Sequence, residues 1–141
     1  MRIVVGVDGS SGAQHALRWA IDEARHHRAE LLVAHVWQVP YIGSPYTPVS
    51  SLDLGVVEEE AQHLIDRMLA GEDTNDVTVE RRAVCGSPSQ TLVDLAKEAD
   101  LLVVGARGHG GFVGLLLGSV SDQVARHASC PVVVVPGDRE H

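Results

Sequence analysis

The residues of this chain best suited to chemistry lie in Gly105-Ala106-Arg107-Gly108-His109-Gly110-Gly111-Phe112-Val113-Gly114-Leu115-Leu116-Leu117-Gly118-Ser119-Val120-Ser121. Six glycines among these seventeen residues are costly in chain entropy, so either they only form turns or they let a ligand approach the backbone. A glycine run that ends where a helix begins presents unpaired N–H groups at the positive end of the helix dipole, which suits an anion such as phosphate. Ser119 and Ser121 would add hydroxyl donors, and Arg107 and His109 would either neutralise phosphate oxygens or sit at the surface. The spacing is not GxxxxGK followed by Ser or Thr, and no GxGxxG opens the first helix, so two common phosphate motifs are excluded. The second candidate is Asp8, which closes the run Ile3-Val4-Val5-Gly6-Val7. A carboxylate beside several phosphates repels them unless it faces sugar hydroxyls or shares a magnesium ion. Its alternative role is to shape the turn into the next helix.

These two places must be brought together by the elements around them. Runs rich in β-branched residues predict strands over Arg2 to Val7, Leu31 to Trp37, Val77 to Val84, Leu101 to Gly105 and Pro131 to Val135. Ala13, Ala16, Leu17, Ala20, Ile21 and Ala24 share one helical face, with Ser10 or Ser11 as the cap. Val56, Val57, Ala61, Leu64, Ile65, Met68 and Leu69 predict a second helix, and Glu58, Glu59 and Glu60 near its start read as a solvated face. Ser87-Pro88 starts a third, with a stripe of Leu92, Val93, Leu95, Ala96 and Ala99, and a last helix runs from about Ser119 to His127. Alternating strands and helices give an α/β fold, a doubly wound five-stranded parallel sheet of order 3-2-1-4-5 with helices on both faces. Its crevice opens between the carboxyl ends of strands one and four, where Asp8 and Gly105 stand. The long Pro- and Ser-containing segment 38–52 is either a lid over that crevice or a mobile stretch.

Composition narrows the function classes. With 141 residues, 45% apolar and only 4% aromatic, the chain has the make-up of one domain, residues 1–141, whose core is Val, Leu, Ile and Ala around a buried parallel sheet. A formal net charge of −8 with no Lys/Arg run argues against nucleic acid as a partner. Cys85 and Cys130 lack metal or redox spacing and read as reduced core residues, and the histidines show no metal-site spacing. The opening residues do not read as a signal peptide and no stretch approaches a membrane span, so a soluble cytoplasmic protein is expected.

The spacing Gly105-x2-Gly108-x9-Gly118-Ser119 resembles the nucleotide-binding signature of the ATP-binding branch of the universal stress protein family. Ile3-Val4-Val5-Gly6-Val7-Asp8-Gly9-Ser10, Val33-Ala34-His35-Val36, Gly86-Ser87-Pro88 and Cys130-Pro131-Val132-Val133-Val134-Val135-Pro136 look like further landmarks of that family, so the resemblance covers essentially the whole chain. It implies an adenine-nucleotide site with ATP as the ligand. Asp8, preceded by Gly6 and Val7, would contact the ribose, and the backbone near Val36 would face the adenine. Val104, Gly105 and Gly108 would line the nucleoside and phosphate path, Gly118, Ser119 and Val120 would hold the phosphates, and Arg107, His109 and Ser121 complete the candidate set. Gly110-Gly111 stands where the family often has a basic residue. The resemblance also implies a homodimer through Val132, Val133, Val134 and Val135, an apolar edge strand in this order.

The function expected from all this is regulatory ATP binding, read out as a change of conformation or dimer state, without a catalytic residue. Slow ATP hydrolysis or self-phosphorylation, which needs a group to place water or a hydroxyl in line with the γ-phosphate, and cyclic AMP binding are the alternatives. A phosphoreceiver is excluded because strand three ends in Ala83-Val84-Cys85-Gly86 rather than an aspartate, and a flavin carrier lacks aromatic residues to stack the ring.

Overall fold

The computed structural model describes residues 1–38, 54–107 and 117–137. Five strands, β1 (Arg2–Gly6), β2 (Glu30–Trp37), β3 (Val79–Cys85), β4 (Leu101–Gly105) and β5 (Val132–Val135), alternate with α1 (Ser11–His27), α2 (Leu54–Ala70), α3 (Pro88–Leu95) and α4 (Ser119–His127). All strand pairs are parallel, in the order β3-β2-β1-β4-β5. The doubly wound sheet expected from the sequence is therefore the fold. Among the described residues no helix is long and apolar enough to cross a membrane.

Strand alternation divides the core between the two faces of the sheet. Ile3, Val5, Leu31, Val33 and Val103 face α1 and α2, where they meet Ala16, Leu17, Ala20, Ile21, Ile65 and Leu69. Val4, Leu32, Ala34, Leu102 and Val104 face α3 and α4, where Leu92, Ala96 and Val124 cover them. Every residue of the stripe expected on α1 is buried, and Ser10 is its cap, accepting from the N–H of Ala13 at 3.1 Å.

Several boundaries and burials differ from expectation. β3 starts at Val79 because Val77 N–H turns back to the Thr74 carbonyl at 3.1 Å. Val56 is 53% exposed, since at 100° per residue it stands about 140° from Ala61, whereas Val57 is only about 40° away. α3 tightens into a 3₁₀ turn over Ala96–Glu98, so Ala99 follows the helix in extended backbone. Cys85 is exposed at the end of an edge strand and Cys130 is half-buried, so neither is the core thiol expected; burial, with Asp100 nearby, pushes the Cys130 thiol up.

The turn between α2 and β3 is clamped to α1 by ionic hydrogen bonds. Gln14 donates to Met68 O (3.1 Å) and Glu72 Oε1 (3.0 Å), and Arg18 grips the same carboxylate at 3.0–3.2 Å. Burial raises the Glu72 pKa, but the hydrogen bonds from Arg18 and Gln14 outweigh it and hold the group below its ordinary 4.5. A carboxylate depressed in the native state contributes stability above its unfolded pKa and loses it as pH falls through the native value. Glu72→Gln is thus expected to lower stability by about 1 kcal/mol at pH 7, a small figure because Arg18 is largely in water. Urea melts at several pH values should show that deficit shrinking as pH drops below 4.5; a deficit independent of pH would remove the charge from the explanation.

Candidate functional site

The site arises where β1 lets go of its neighbours. Its pairing with β4 ends at Val5↔Val103 and with β2 at Gly6↔Ala34, followed by one bond from Val7 N–H to Ala34 O at 2.9 Å. The chain then turns through Asp8, Gly9 and Ser10 into α1. Gly9 has φ +85°, in the left-handed region glycine enters without strain. Asp8 Oδ1 accepts from Ser10 N–H (3.0 Å) and from the Ser10 hydroxyl (2.5 Å), so the turn-shaping role of Asp8 is real, and it leaves the carboxylate beside the cavity described below.

On the β4 side, backbones approach without side chains between them. A Cβ on Gly105 would lie 3.0 Å from the Gly12 carbonyl, and one on Gly12 would lie 2.7 Å from the carbonyl oxygen of Arg107. Ala106 joins three elements: its N–H donates to Val135 O (2.8 Å), and its carbonyl accepts from Gly118 N–H (2.6 Å) and the Ser121 hydroxyl (2.8 Å). The same hydroxyl lies 3.0 Å from Gly118 O. Ser121, 2% exposed, therefore directs its proton to protein carbonyls and fixes the start of α4; the expectation of a hydroxyl donor for a ligand does not hold for it.

An open cavity of about 230 Å³ lies in this crevice, on the α3/α4 side, a little below the ~300–1,000 Å³ of typical small-molecule clefts. Gly6, Val7, Asp8, Val36, Val104, Gly105, Arg107, Gly118, Ser119, Val120 and Ser121, scattered through the sequence, all line it. Gly108 and His109 lie outside the described residues, as does nearly all of segment 38–52. Sequence reasoning missed Ala13, Ala34, Pro88 and Leu92, which also line the cavity. Ser87-Pro88 was legible as a helix start, but not that this start faces the cavity. Leu92 forms the floor, since a Cβ on Gly6 would come within 2.8 Å of its Cδ1.

One end of the cavity offers N–H groups. Gly118 caps α4 without a side chain, and the first helical bond runs from Asp122 N–H to Gly118 O at 3.0 Å. The N–H groups of Ser119, Val120 and Ser121 consequently have no acceptor among the described residues, and the helix dipole adds roughly half a positive charge there. The other end offers a donor and an acceptor on one residue. Leu31 N–H bonds Thr78 O and Trp37 O accepts from Gly86 N–H, so odd residues of β2 bond β3 and even ones point toward β1. Val36 points that way two residues beyond the last paired position of β1. Val36 lines the cavity together with Leu92 and Val104, and the alternation turns its N–H and C=O into the space that β1 leaves. Among the described residues no cluster of three His, Cys, Asp or Glu side chains could hold a metal ion.

A family model described as the universal stress protein family matches residues 1–136. The chain belongs to that family. This universal stress protein is 40% identical over 139 residues to one from Mycolicibacterium smegmatis, an alignment that covers 94% of this chain and 45% of the relative. It thus spans about half the length of the curated relatives it matches. Among solved structures it superposes on the universal stress protein UspA from Lactobacillus plantarum with a TM-score of 0.80 at 29% identity, over 96% of this chain and 97% of the other. A universal stress protein solved in complex with cAMP matches at TM-score 0.65 and 33% identity, over 96% of both chains. One from Archaeoglobus fulgidus in complex with dAMP matches at 0.65 and 27%, over 96% of this chain and 97% of that one.

Proposed function

We propose that this universal stress protein binds an adenine nucleotide, ATP foremost, in the crevice between β1 and β4, and acts through that binding rather than through turnover. The observation that carries the reading is that a single cavity has a base-reading edge at one end and an anion cradle at the other. Val36 presents N–H and C=O side by side, the complement of the N1 acceptor and 6-amino donor of adenine; guanine, with N1–H and a 6-oxo group, presents the reverse. Ala34, Val36, Leu92 and Val104 give the base apolar walls. Asp8 meets the ribose hydroxyls, and the N–H groups of Ser119, Val120 and Ser121 meet the phosphates, with Gly118 leaving room and Arg107 at the mouth. A Mg²⁺ accompanying the triphosphate would be held largely by phosphate oxygens and water, with Asp8 the carboxylate at hand. The cAMP and dAMP held by two of the solved relatives support the choice of adenine.

The test is to denature freshly purified protein, identify any released nucleotide by chromatography and mass, and titrate the emptied protein with ATP, ADP, cyclic AMP and GTP by calorimetry. Adenine nucleotides are expected to bind and GTP to bind weakly. No binding of any adenine nucleotide would overturn the reading, and ATP turnover at several per second would overturn its non-catalytic part.

We also propose a homodimer through β5. The Leu102 N–H to Pro131 O and Ala106 N–H to Val135 O bonds put odd residues of β5 on the β4 side, so the N–H and C=O of Val132 and Val134 point outward. Both faces of the strand are packed by its own chain, leaving that edge for pairing. The opposite edge, β3, carries Arg81 paired with Asp66 and an Arg2–Glu80–Arg82 chain, charges that discourage pairing there. Val134→Pro removes an outward N–H and no bond to β4, so sedimentation at micromolar concentration should show a dimer for the native protein and a monomer for the variant. A native monomer would exclude this interface.

A further inference from the structure

We infer that His35 is a positioning residue for base recognition: its imidazole captures the Val7 carbonyl and so keeps the β1–β2 ladder from closing over Val36. This rests on the adenine-nucleotide reading above and assigns a residue outside the cavity lining to it.

In a parallel ladder, the rung after Val7 N–H to Ala34 O would be Val36 N–H to Val7 O. That rung is absent among the described residues. Val7 O instead lies 2.9 Å from His35 Nδ1, and because a carbonyl only accepts, Nδ1 carries the proton in this bond. His35 is an odd residue of β2, so its ring lies on the α1/α2 side of the sheet, with the small Ala83 as register partner. The cavity lies on the other side, lined by Ala34 and Val36. The histidine thus draws the Val7 carbonyl away from the cavity side, and the Val36 N–H loses the protein acceptor it would otherwise find. Without this donor, the Val7 carbonyl and the Val36 N–H are the next two partners in the ladder, and both gain by pairing. Closing that rung blocks the donor that reads N1 of the base while leaving the phosphate cradle on α4 untouched.

The test compares native protein, His35→Ala, and His35→Asn, whose amide keeps a donor near the Nδ1 position. ATP, GTP, adenosine and tripolyphosphate are titrated by calorimetry. In His35→Ala the affinities for ATP and adenosine should fall roughly tenfold and the ATP-over-GTP preference should shrink toward one, while tripolyphosphate binding is unchanged; His35→Asn should restore most of the preference. Equal losses for all four ligands, or an unaltered preference, would overturn the proposal. A second measurement needs no variant. The Val36 amide of ligand-free native protein should exchange with solvent far faster than that of Ala34 and slow on addition of ATP; a Val36 amide as protected as Ala34 before ligand is added would show the rung already closed and sink the proposal. If native protein binds no adenine nucleotide while Val36 exchanges fast, the function reading has failed and this inference falls with it.

Discussion

Gly118→Val is expected to abolish ATP binding, weakening it by at least about a hundredfold, while the circular dichroism of the protein stays native. Gly118 has φ −72° and ψ 170°, extended backbone open to any residue, so conformation does not require glycine there. Space does. The residue is buried, lines the cavity and immediately precedes the N–H groups of Ser119, Val120 and Ser121. On the proposed reading, two methyl groups at this point would stand where a phosphate comes to reach those donors. Hydrogen bonds to a charged acceptor contribute about 1.5–3 kcal/mol each, so losing two of them accounts for a hundredfold at 1.4 kcal/mol per decade. The anchoring bond from Gly118 N–H to Ala106 O at 2.6 Å survives the substitution, which is why the fold should persist. Unchanged ATP affinity would mean that the α4 N-terminus is not the phosphate cradle.

Gly12→Ala is the second large effect, and its sign is informative. Gly12 lies in the first turn of α1, where helix propensity alone would make alanine better by up to ~1 kcal/mol. Against this, the new Cβ would lie 2.7 Å from the carbonyl oxygen of Arg107, a backbone atom that no rotamer change can move aside. Overpacking of this kind costs about 1–3 kcal/mol, and relieving it displaces either α1 or the segment leaving β4, both walls of the cavity. The expected result is a net loss of about 1–2 kcal/mol in urea denaturation together with weaker ATP binding. A variant more stable than the native protein, with ATP affinity intact, would show that the approach of α1 to residue 107 is loose and does not shape the site.

The contrast between these two glycines shows what a sequence reveals and what it hides. Gly118 belongs to a glycine-rich run at a helix start, a local pattern with a physical meaning, and with Asp8 at the end of β1 it marked the crevice in advance. Strand order followed from the alternation of β-branched runs with the stripes on α1, α2 and α3, signals carried by neighbours in sequence. Gly12 carried no such signal, because its meaning lies in Arg107, which only the fold brings beside it. The same holds for Ser121, whose hydroxyl looked available until the Ala106 and Gly118 carbonyls were found against it. It holds for Leu92, legible as a core residue on α3 but not as the floor beneath Gly6, and for Cys85, apolar by type yet placed on the outermost strand. His35 stood inside a recognisable strand, but the acceptor for its ring is 28 residues away.

The central claim, that base and phosphates are read by one cavity, is tested most directly by following backbone amide resonances during an ATP titration. The expected result is saturable shifts concentrated at Val7, Asp8, Val36, Gly105 and Ser119 to Ser121, with guanosine triphosphate reproducing those of α4 but not that of Val36. Shifts confined to the far end of the sheet, around Arg2, Glu30 and Thr78, or no saturable shifts at all, would contradict it.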